Sequence, residues 1–457
     1  MQSRRAFLLA ALGTGVAALF TSGGALAASA SSVHASSLQA GAGQADVVFP
    51  PGLFPVDGFT AQHDPLATRV LVLDDGGGRT GIVVIDVTSM SDAMVASAKA
   101  ILSAVAGVPA ERTIVCASHT FSAPHVFPVD HVPAGTDLAK NDAILAAFDV
   151  AMRAASAQAV SALQPARVGF GSGRSEVGVN RDVRTANGWW LGADDAGFAD
   201  PHVGVVRIDA MNGKPLAILM NVAVQASIMD GSKTADGARL ITADLAGAAA
   251  RHVEAHYGSD AVALFLVGAA GDQAPLFQAN RHVVNPDGSV GRVDLHDAGF
   301  DLVDKLGERL GAEVVRVANT VTPERSTVLD VRRETVDVTS QAFSPRNAPV
   351  GPVTSFDYRP GAKTAVPVVL MRIGGITLVG VQPELAASIG ARIRARSPYP
   401  QTLVATMVDG AAKYMPDAQS YDRFTYEARS SPFAKGAAET AADGIVTALK
   451  KLKNAGS

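Results

Sequence analysis

Short, mainly apolar segments alternate along this chain with longer segments in which apolar residues recur every three or four positions. A first pair, Arg69–Leu73 and Gly81–Asp86, is joined by a glycine-rich turn. A helical pattern from Met94 to Val105 and a strand at Thr113–Ala117 follow. Strands of this composition are buried on both faces, and a helix between two of them is typical of a βαβ unit. The chain is therefore predicted to be an α/β protein.

The same alternation continues towards the C-terminal end. Helices are predicted at 138–163, 244–256 and 299–317, and strands at 203–208, 216–224, 262–267, 328–338, 366–373 and 376–381. Hairpin turns are expected at Asn212-Gly213 and Gly374-Gly375. No fixed-period repeat and no long linker interrupts the pattern. Residues 51–457 are therefore predicted to form one large domain with mixed β-sheets flanked by helices.

The N-terminal residues have the pattern of an export signal. Arg4-Arg5 with the following Phe7-Leu8 matches a twin-arginine motif, and Ala25-Leu26-Ala27 resembles a cleavage site. The alternative is a plain secretory signal, and both predict a periplasmic or secreted protein after removal of residues 1–27. Residues 28–50, rich in Ala, Ser and Gly, are predicted to be a flexible leader. No membrane-spanning segment is expected after cleavage, because no later run of 18 or more residues is unbroken and apolar.

The charge balance restricts the partners. The 39 basic and 43 acidic residues give a formal net charge of -4, and no basic run carries interleaved aromatic residues. These features argue against nucleic acid and favour a small-molecule or lipid-like acyl substrate. The sequence gives no indication of the oligomeric state. Because Cys116 is the single cysteine, no internal disulfide is expected.

Residues able to carry chemistry follow several predicted strands, where α/β folds bind ligands. His119 follows one strand directly and could bind a metal or act as a base, although a lone loop histidine is more often structural. The N–H groups of Gly268–Pro275 could stabilise an oxyanion, or the segment could be a tight turn. Glu384 and Tyr414, taken singly, are interpreted as a helix-dipole partner and an ordinary half-buried phenol.

Taken in order, these segments resemble the neutral/alkaline ceramidase family over about residues 55 to 430. The matching segments are His63–Asp74, Ser118–Thr120, Gly178–Arg181, Gly204–Arg207 with Asn221–Gln225, Thr242–Gly247, Gly268–Pro275, Pro383-Glu384 and Lys413-Tyr414. The resemblance implies a fold like the N-terminal domain of the neutral ceramidases. Longer members carry an additional immunoglobulin-like domain after the catalytic one, and this chain is expected to lack it because it ends soon after Tyr414.

In that family, two histidines, a glutamate and a tyrosine hold a zinc ion that hydrolyses the amide of ceramide. The resemblance implies that His119, Glu384 and Tyr414 occupy three ligand positions and that Gln225 replaces the second histidine. Zinc or another divalent metal is therefore expected. Because an amide oxygen is a poor zinc ligand, the site should bind more weakly or take a harder ion. His125 or His63 could substitute for the missing histidine.

The family signature differs at two further positions. Phe121 replaces a histidine, and Ala274 replaces a serine, which excludes a serine nucleophile there. The expected activity is metal-dependent hydrolysis of an N-acyl, ceramide-like amide or of a related ester or lactone. The expected catalytic residues are His119, Tyr414 and Arg181, with Arg181 holding the oxyanion or an anionic substrate group. The expected substrate-binding residues are Gly271, Asp272, Phe121 and Trp189, the last in a loop with Trp190.

Two alternatives remain open from the sequence. The first is a non-catalytic ligand- or lipid-binding protein that kept the fold and lost the metal. The second is a metal-free enzyme with Cys116 as nucleophile and His119 as its base. The second is disfavoured, because Cys116 lies inside an apolar strand and is expected to pack as a small hydrophobe.

Overall fold

The structure is a computed structural model that describes residues 37–128, 132–258, 260–285, 287, 289–342 and 350–455. The predicted signal peptide and residues 28–36 of the predicted leader lie outside this part of the chain. The described residues form one compact unit.

The strands are β1 (Gln39–Asp46), β2 (Ala61–Gln62), β3 (Ala67–Asp74), β4 (Arg79–Ile85), β5 (Thr113–Ala117), β6 (Gln164–Arg174), β7 (Gly178–Thr185), β8 (Gly188–Asp194), β9 (His202–Ala210), β10 (Pro215–Val222), β11 (Leu240–Ile241), β12 (Val262–Val267), β13 (Gln273–Pro275), β14 (Asn280–Val284), β15 (Val290–Asp294), β16 (Leu329–Gln341), β17 (Pro360–Ile373), β18 (Ile376–Val381), β19 (Glu384–Leu385), β20 (Gln401–Ala405) and β21 (Tyr414–Met415). The helices are α1 (Asp92–Ala106), α2 (Leu138–Ser161), α3 (Asp244–Tyr257), α4 (Gly299–Thr320), α5 (Ala387–Arg396), α6 (Ala418–Asp422), α7 (Tyr426–Arg429) and α8 (Ala437–Ala455).

Two sheets stacked between two layers of helices make up the fold. The larger sheet has eight strands in the order β12-β10-β9-β6-β1-β3-β4-β5, and the smaller has the order β16-β17-β18-β20. The β10–β12, β4–β5 and β18–β20 pairs are parallel, whereas the other neighbours in these two sheets are antiparallel. The α/β class with mixed sheets is thereby confirmed, with α1 between β4 and β5 and α3 between β10 and β12.

The core is divided among the layers. On β3, Val70 and Val72 face the helix layer, where they join Met94 of α1. The alternate residue Leu71 faces the smaller sheet and belongs to the same cluster as Met371 of β17. A third cluster lies between the smaller sheet and helices α5 and α8. Because side chains alternate along a strand, a strand covered on both faces is apolar throughout, as the sequence pattern indicated.

The expectation of a flexible leader is wrong for residues 39–46, which form β1 inside the larger sheet, paired with β3 and β6. A Cβ atom at Gly41 would lie 2.1 Å from the carbonyl oxygen of Ala159, and one at Gly43 would lie 2.3 Å from that of Ala155. The small residues therefore allow α2 to pack closely on the strand. Their composition resembles that of a linker, but it is required here by this close packing.

Among the described residues, α2 is the single helix long and apolar enough to cross a membrane by length and composition. It packs against α1, β1 and β3, and its buried residues include Phe148 and Met152. The apolar residues of α2 thus belong to the core of the domain.

Candidate active site

The loops that follow several strands meet at one end of the stacked sheets. An isolated bridge joins Thr120, after β5, to Ala226, after β10. A second bridge joins Cys116 of β5 to Val408, after β20. The short strands β19 and β21 pair in parallel and place Glu384 beside Tyr414. These links bring residues from distant parts of the sequence to one site.

His119 is buried at this site with a fixed ring orientation. Its Nδ1 lies 2.5 Å from the carbonyl oxygen of Thr88, and its Nε2 lies 3.1 Å from Oε2 of Glu384. A carbonyl oxygen only accepts hydrogen bonds, so Nδ1 carries a proton. In the neutral ring, the lone pair of Nε2 then faces a carboxylate oxygen. Two acceptors this close require a proton or a metal ion between them.

Backbone strain is concentrated around the same point. His119 has a φ of 63°, Met407 of 55° and Lys413 of 57°, although none is glycine. All three residues line the same cavity. A side chain held in the left-handed region costs about 1–3 kcal/mol and persists where the surrounding structure requires it, often at functional sites.

The carboxylate of Glu384 is the centre of the hydrogen-bond network. Burial alone would raise its pKa, but the charge and hydrogen bond of His119, with contributions from Arg181 and Gln225, outweigh burial and lower the pKa. Glu384 is therefore ionised at neutral pH. In contrast, burial and the charge of Glu384 raise the pKa of Tyr414, although the neighbouring Arg181 opposes this shift. Without a cation at the site, Tyr414 is a neutral phenol.

Gln225 links Glu384 to Arg181. Its Nε2 donates to Oε2 of Glu384 over 2.9 Å, and its Oε1 accepts from Nη1 of Arg181 over 2.8 Å. Because a guanidinium only donates, the amide oxygen of Gln225 must face Arg181 and the NH₂ group must face Glu384. In this orientation, Gln225 positions the carboxylate and presents no lone pair to a cation beside it.

Arg181 is itself buried and is paired with an acid of helix α7. Its Nε donates to Oε1 of Glu427 on α7 over 2.6 Å, and its guanidinium carbon lies 5.1 Å from the centre of the Tyr414 ring. Burial, followed by the charge of Glu427 and a hydrogen bond with it, raises the pKa of Asp182 well above its usual range. The 2.6 Å contact makes Arg181 and Glu427 a buried ion pair.

A cavity of about 660 Å³ opens above His119, Glu384 and Tyr414. It is lined by Thr88, Ser89, His119, Phe121, His125, Trp190, Leu191, Asp230, Arg239, His282, Arg292, Val350, Glu384, Met407, Ala411, Lys413, Tyr414, Tyr426 and Ser430. Its size and its mixture of aromatic and charged side chains are those of a small-molecule site.

Three side chains that line this cavity, those of His119, Glu384 and Tyr414, could hold a divalent metal ion. Ligands at 2.0–2.2 Å in a tetrahedral zinc site lie roughly 3.3 Å apart, close to the 3.1 Å between Nε2 of His119 and Oε2 of Glu384. Tyr414 would be the third ligand. No cluster of three His, Cys, Asp or Glu side chains within the described ranges could hold a metal by itself. The fit therefore depends on the phenol of Tyr414, with Gln225 outside the ligand set.

The two expected substrate-binding residues of the glycine-rich segment lie behind the site. The N–H of Gly271 donates to the carbonyl oxygen of Leu385 over 2.9 Å, and so does not face a ligand. Oδ1 of Asp272 accepts from the N–H of Ala387 over 2.8 Å at the start of α5. Burial, chiefly, raises the pKa of Asp272 to about 6. Among the described residues that line the cavity, none comes from Gly268–Pro275.

Gly271→Ala should disturb the site without touching the cavity. A Cβ atom at this position would lie 2.7 Å from the carbonyl oxygen of Glu384, so the backbone of β19 would have to move. We expect a loss of about 1–3 kcal/mol in the free energy of unfolding, measured by urea denaturation. Gly375→Ala, whose nearest contact would be 3.4 Å away at a side-chain oxygen, is the matched control. Equal stability of the two variants would contradict this packing role.

The tryptophans lie in strand β8 and not in a loop as expected. Trp190 lines the cavity, whereas Trp189 lies outside the described lining and packs under Arg423, 4.5 Å from its ring centre. Phe121 lines the cavity and contacts His119 edge to face, with ring centres 4.7 Å apart.

The two histidines considered as replacement ligands are engaged elsewhere. His125 is at the cavity edge, where its Nδ1 lies 2.6 Å from Oδ2 of Asp57. His63 stacks on Phe300 with ring centres 3.6 Å apart and is not among the described lining residues. Cys116 is buried in β5, where burial first and then Asp409 raise the pKa of its thiol. A buried thiol of this kind does not favour a nucleophilic role.

Several residues around the cavity were not predicted from the sequence. Asp230, Arg239, Arg292 and Tyr426 line it, and Glu427 lies beneath it. These residues lie in loops, in the short strand β15 and in the four-residue helix α7, where no strong periodicity singles them out. The pair Tyr426-Glu427 beside a helix-capping Thr425 is the one local signal, and it indicates a short helix without indicating its burial.

No family model matches the sequence, and no curated protein matches it significantly. Solved structures do match. A structure described as a ceramidase complexed with C2 aligns with a TM-score of 0.70 and 20% identity over 92% of this chain and 75% of that one. The neutral ceramidase from Pseudomonas aeruginosa aligns with a TM-score of 0.68 and 21% identity over 91% of this chain and 75% of that one. The resemblance expected from the sequence motifs is thus confirmed in three dimensions, and this chain has the fold of the neutral ceramidases.

Proposed function

We propose that this protein is a metal-dependent hydrolase that cleaves an N-acyl amide of the ceramide type, or a related ester or lactone. The observation that carries the proposal is the arrangement of His119, whose protonated Nδ1 directs the lone pair of Nε2 at Glu384 beside Tyr414. An imidazole, a carboxylate and a phenol on one cavity wall are a three-ligand set of the kind that leaves a coordination position open for catalysis.

A divalent cation held by His119, Glu384 and Tyr414 would polarise the substrate carbonyl and lower the pKa of a bound water. The carbonyl of Thr88 keeps the lone pair of His119 on Nε2, and Gln225 keeps the carboxylate of Glu384 in place. The charge of Arg181 favours the ionised form of Tyr414. In the overall reaction, the carbon–nitrogen bond breaks, and water supplies a hydroxyl to the acyl carbon and a proton to the amine.

Phe121 and Trp190 provide apolar surface next to these groups. Apolar walls exclude water and strengthen the electrostatic interactions inside the site. They also offer contact area for an acyl chain or an aromatic group of a substrate.

A ligand-binding protein without catalysis is the second candidate. The network from His119 through Glu384 and Gln225 to Arg181 is complete if a proton, and not a metal, occupies Nε2 of His119. In that case, the imidazolium and the carboxylate would form an ion pair, and the cavity would bind a ligand without cleaving it.

The decisive experiment is a panel of an N-acyl amide, an ester and a lactone, each tested with metal-stripped protein and after addition of single divalent ions. We expect hydrolysis to be absent from stripped protein and to return with one ion. Full activity in metal-free protein would contradict the metal-dependent proposal. Binding without turnover under every condition would favour the second candidate.

A further inference from the structure

The cavity wall carries more cations than carboxylates. Arg239, Arg292 and Lys413 line it, whereas the acids among its described lining residues are Asp230 and Glu384. Glu384 is already engaged by His119 and Gln225. The wall therefore has an excess of positive charge that no acid of the cavity balances.

Arg239 is held at the wall by uncharged partners. Its guanidinium carbon lies 4.2 Å from the centre of the Phe59 ring, and its Nη2 donates to the carbonyl oxygen of Phe121 over 3.5 Å. Its Nε is buried and has no hydrogen-bond partner in the described part of the chain. The charge of Arg239 helps to lower the pKa of Asp57, but the carboxylate of Asp57 is hydrogen-bonded to His125. Arg239 thus keeps donors that its protein neighbours do not satisfy.

Arg292 is likewise positioned by a neutral group, because its Nη2 donates to the carbonyl oxygen of Asn280 over 3.0 Å. The charge of Arg292 affects the pKa of two neighbouring groups, His282 and Asp230. Burial, with the charges of Arg292 and Arg181, lowers the pKa of His282 to about 4. Burial raises the pKa of Asp230 even though Arg292 and Arg239 oppose the rise. Both arginines act on Asp230 through their charge, without a hydrogen bond among the described residues.

Guanidinium groups that are fixed in place and lack a carboxylate partner are suited to bind an anionic oxygen group of a ligand. Their planar array of N–H donors matches a carboxylate or a sulfonate, and a partly desolvated site strengthens the attraction. A neutral amide with hydroxyl groups alone would leave these donors and the positive charge uncompensated when it displaces water.

We propose that the cavity selects N-acyl substrates that carry an anionic group, such as N-acyl amino acids, over neutral N-acyl amino alcohols, with Arg239 and Arg292 as the specificity residues. This proposal rests on the hydrolase function proposed above. The anionic group would lie at the arginines, and the acyl carbonyl at His119, Glu384 and Tyr414.

The test compares N-lauroylglycine, N-lauroyltaurine and N-lauroylethanolamine, which share an acyl chain and differ in the charge of the amine portion. We expect kcat/KM to be at least about tenfold higher for the glycine or taurine compound than for the ethanolamine compound. The preference should decrease as salt is added, because salt screens the attraction. A preference for the carboxylate or for the sulfonate identifies which anion fits better.

Two variants locate the effect. Arg292→Gln and Arg239→Gln should each lower the ratio of kcat/KM for the anionic compound to that for the ethanolamine compound by about tenfold. Arg316→Gln, which removes an exposed arginine paired with Glu313 on α4, should leave the ratio unchanged. A ratio of one or less in the wild-type protein would overturn the anion proposal and leave the hydrolase proposal intact.

Calorimetric measurement of ligand affinity tests the anion preference independently of hydrolysis. If no compound is hydrolysed, the hydrolase proposal fails, and the affinities of N-lauroylglycine and N-lauroylethanolamine still decide the anion preference. Tighter binding of the glycine compound, reduced by Arg292→Gln, would support the preference. Equal affinities would overturn it.

Discussion

Glu384→Ala is expected to abolish hydrolysis and metal binding together, and His119→Ala should do the same. The two side chains supply the donor atoms that lie 3.1 Å apart at the base of the cavity. Loss of an outer hydrogen-bond partner of a metal ligand already costs about 10–100-fold in affinity or activity, so the loss of a ligand should exceed that range. Turnover of an N-acyl amide and the metal content of the purified variants, by elemental analysis, provide the measurement.

Two controls accompany these variants. Gln225→Ala removes a group that positions Glu384 without serving as a ligand, so we expect a loss within the 10–100-fold range and partial retention of metal. Glu308→Ala removes an exposed carboxylate on α4 and should change neither quantity. If the metal-free Glu384→Ala protein turned over substrate at the wild-type rate, a catalytic role for this site would be excluded.

Arg181→Met is expected to destabilise the folded protein by about 3–5 kcal/mol, the usual cost of leaving one partner of a buried ion pair alone. Arg181 donates to Glu427 over 2.6 Å, and Glu427 is only 1% exposed. The charge left uncompensated would be that of Glu427, the partner of Arg181 in this pair. The free energy of unfolding from urea denaturation at pH 7 measures the effect.

The double variant Arg181→Met/Glu427→Gln tests the reason for that loss. Removal of the second charge should restore most of the stability, although the hydrogen bond from Arg181 to Gln225 remains absent. If the double variant is no more stable than Arg181→Met, the cost comes from packing and not from an unpaired carboxylate.

Much of the architecture could be predicted from the sequence because the buried strands and amphipathic helices are periodic over long segments. The turn at Asn212-Gly213 lies between β9 and β10, and α1 begins after Ser91, which accepts a hydrogen bond from the N–H of Met94. Strand β1 could not be predicted from local pattern. Glycine is required at positions 41 and 43 by close contact with α2, which is distant in sequence.

The site could be predicted only in part, for a similar reason. His119 and Glu384 follow strands, so their placement at one sheet end could be expected from topology. The orientation of Gln225 depends on Arg181, and that of Arg181 depends on Glu427 in a helix of four residues. Such chains of hydrogen bonds depend on tertiary contacts that no local pattern encodes.

The most direct test of the central claim is an anomalous difference map, measured at the zinc absorption edge from crystals of the wild-type protein grown with zinc. If the site binds a metal as proposed, one peak will lie at the base of the cavity within bonding distance of Nε2 of His119, the carboxylate of Glu384 and the hydroxyl oxygen of Tyr414. A map with no peak there, and with His119 in direct contact with Glu384, would contradict the central claim.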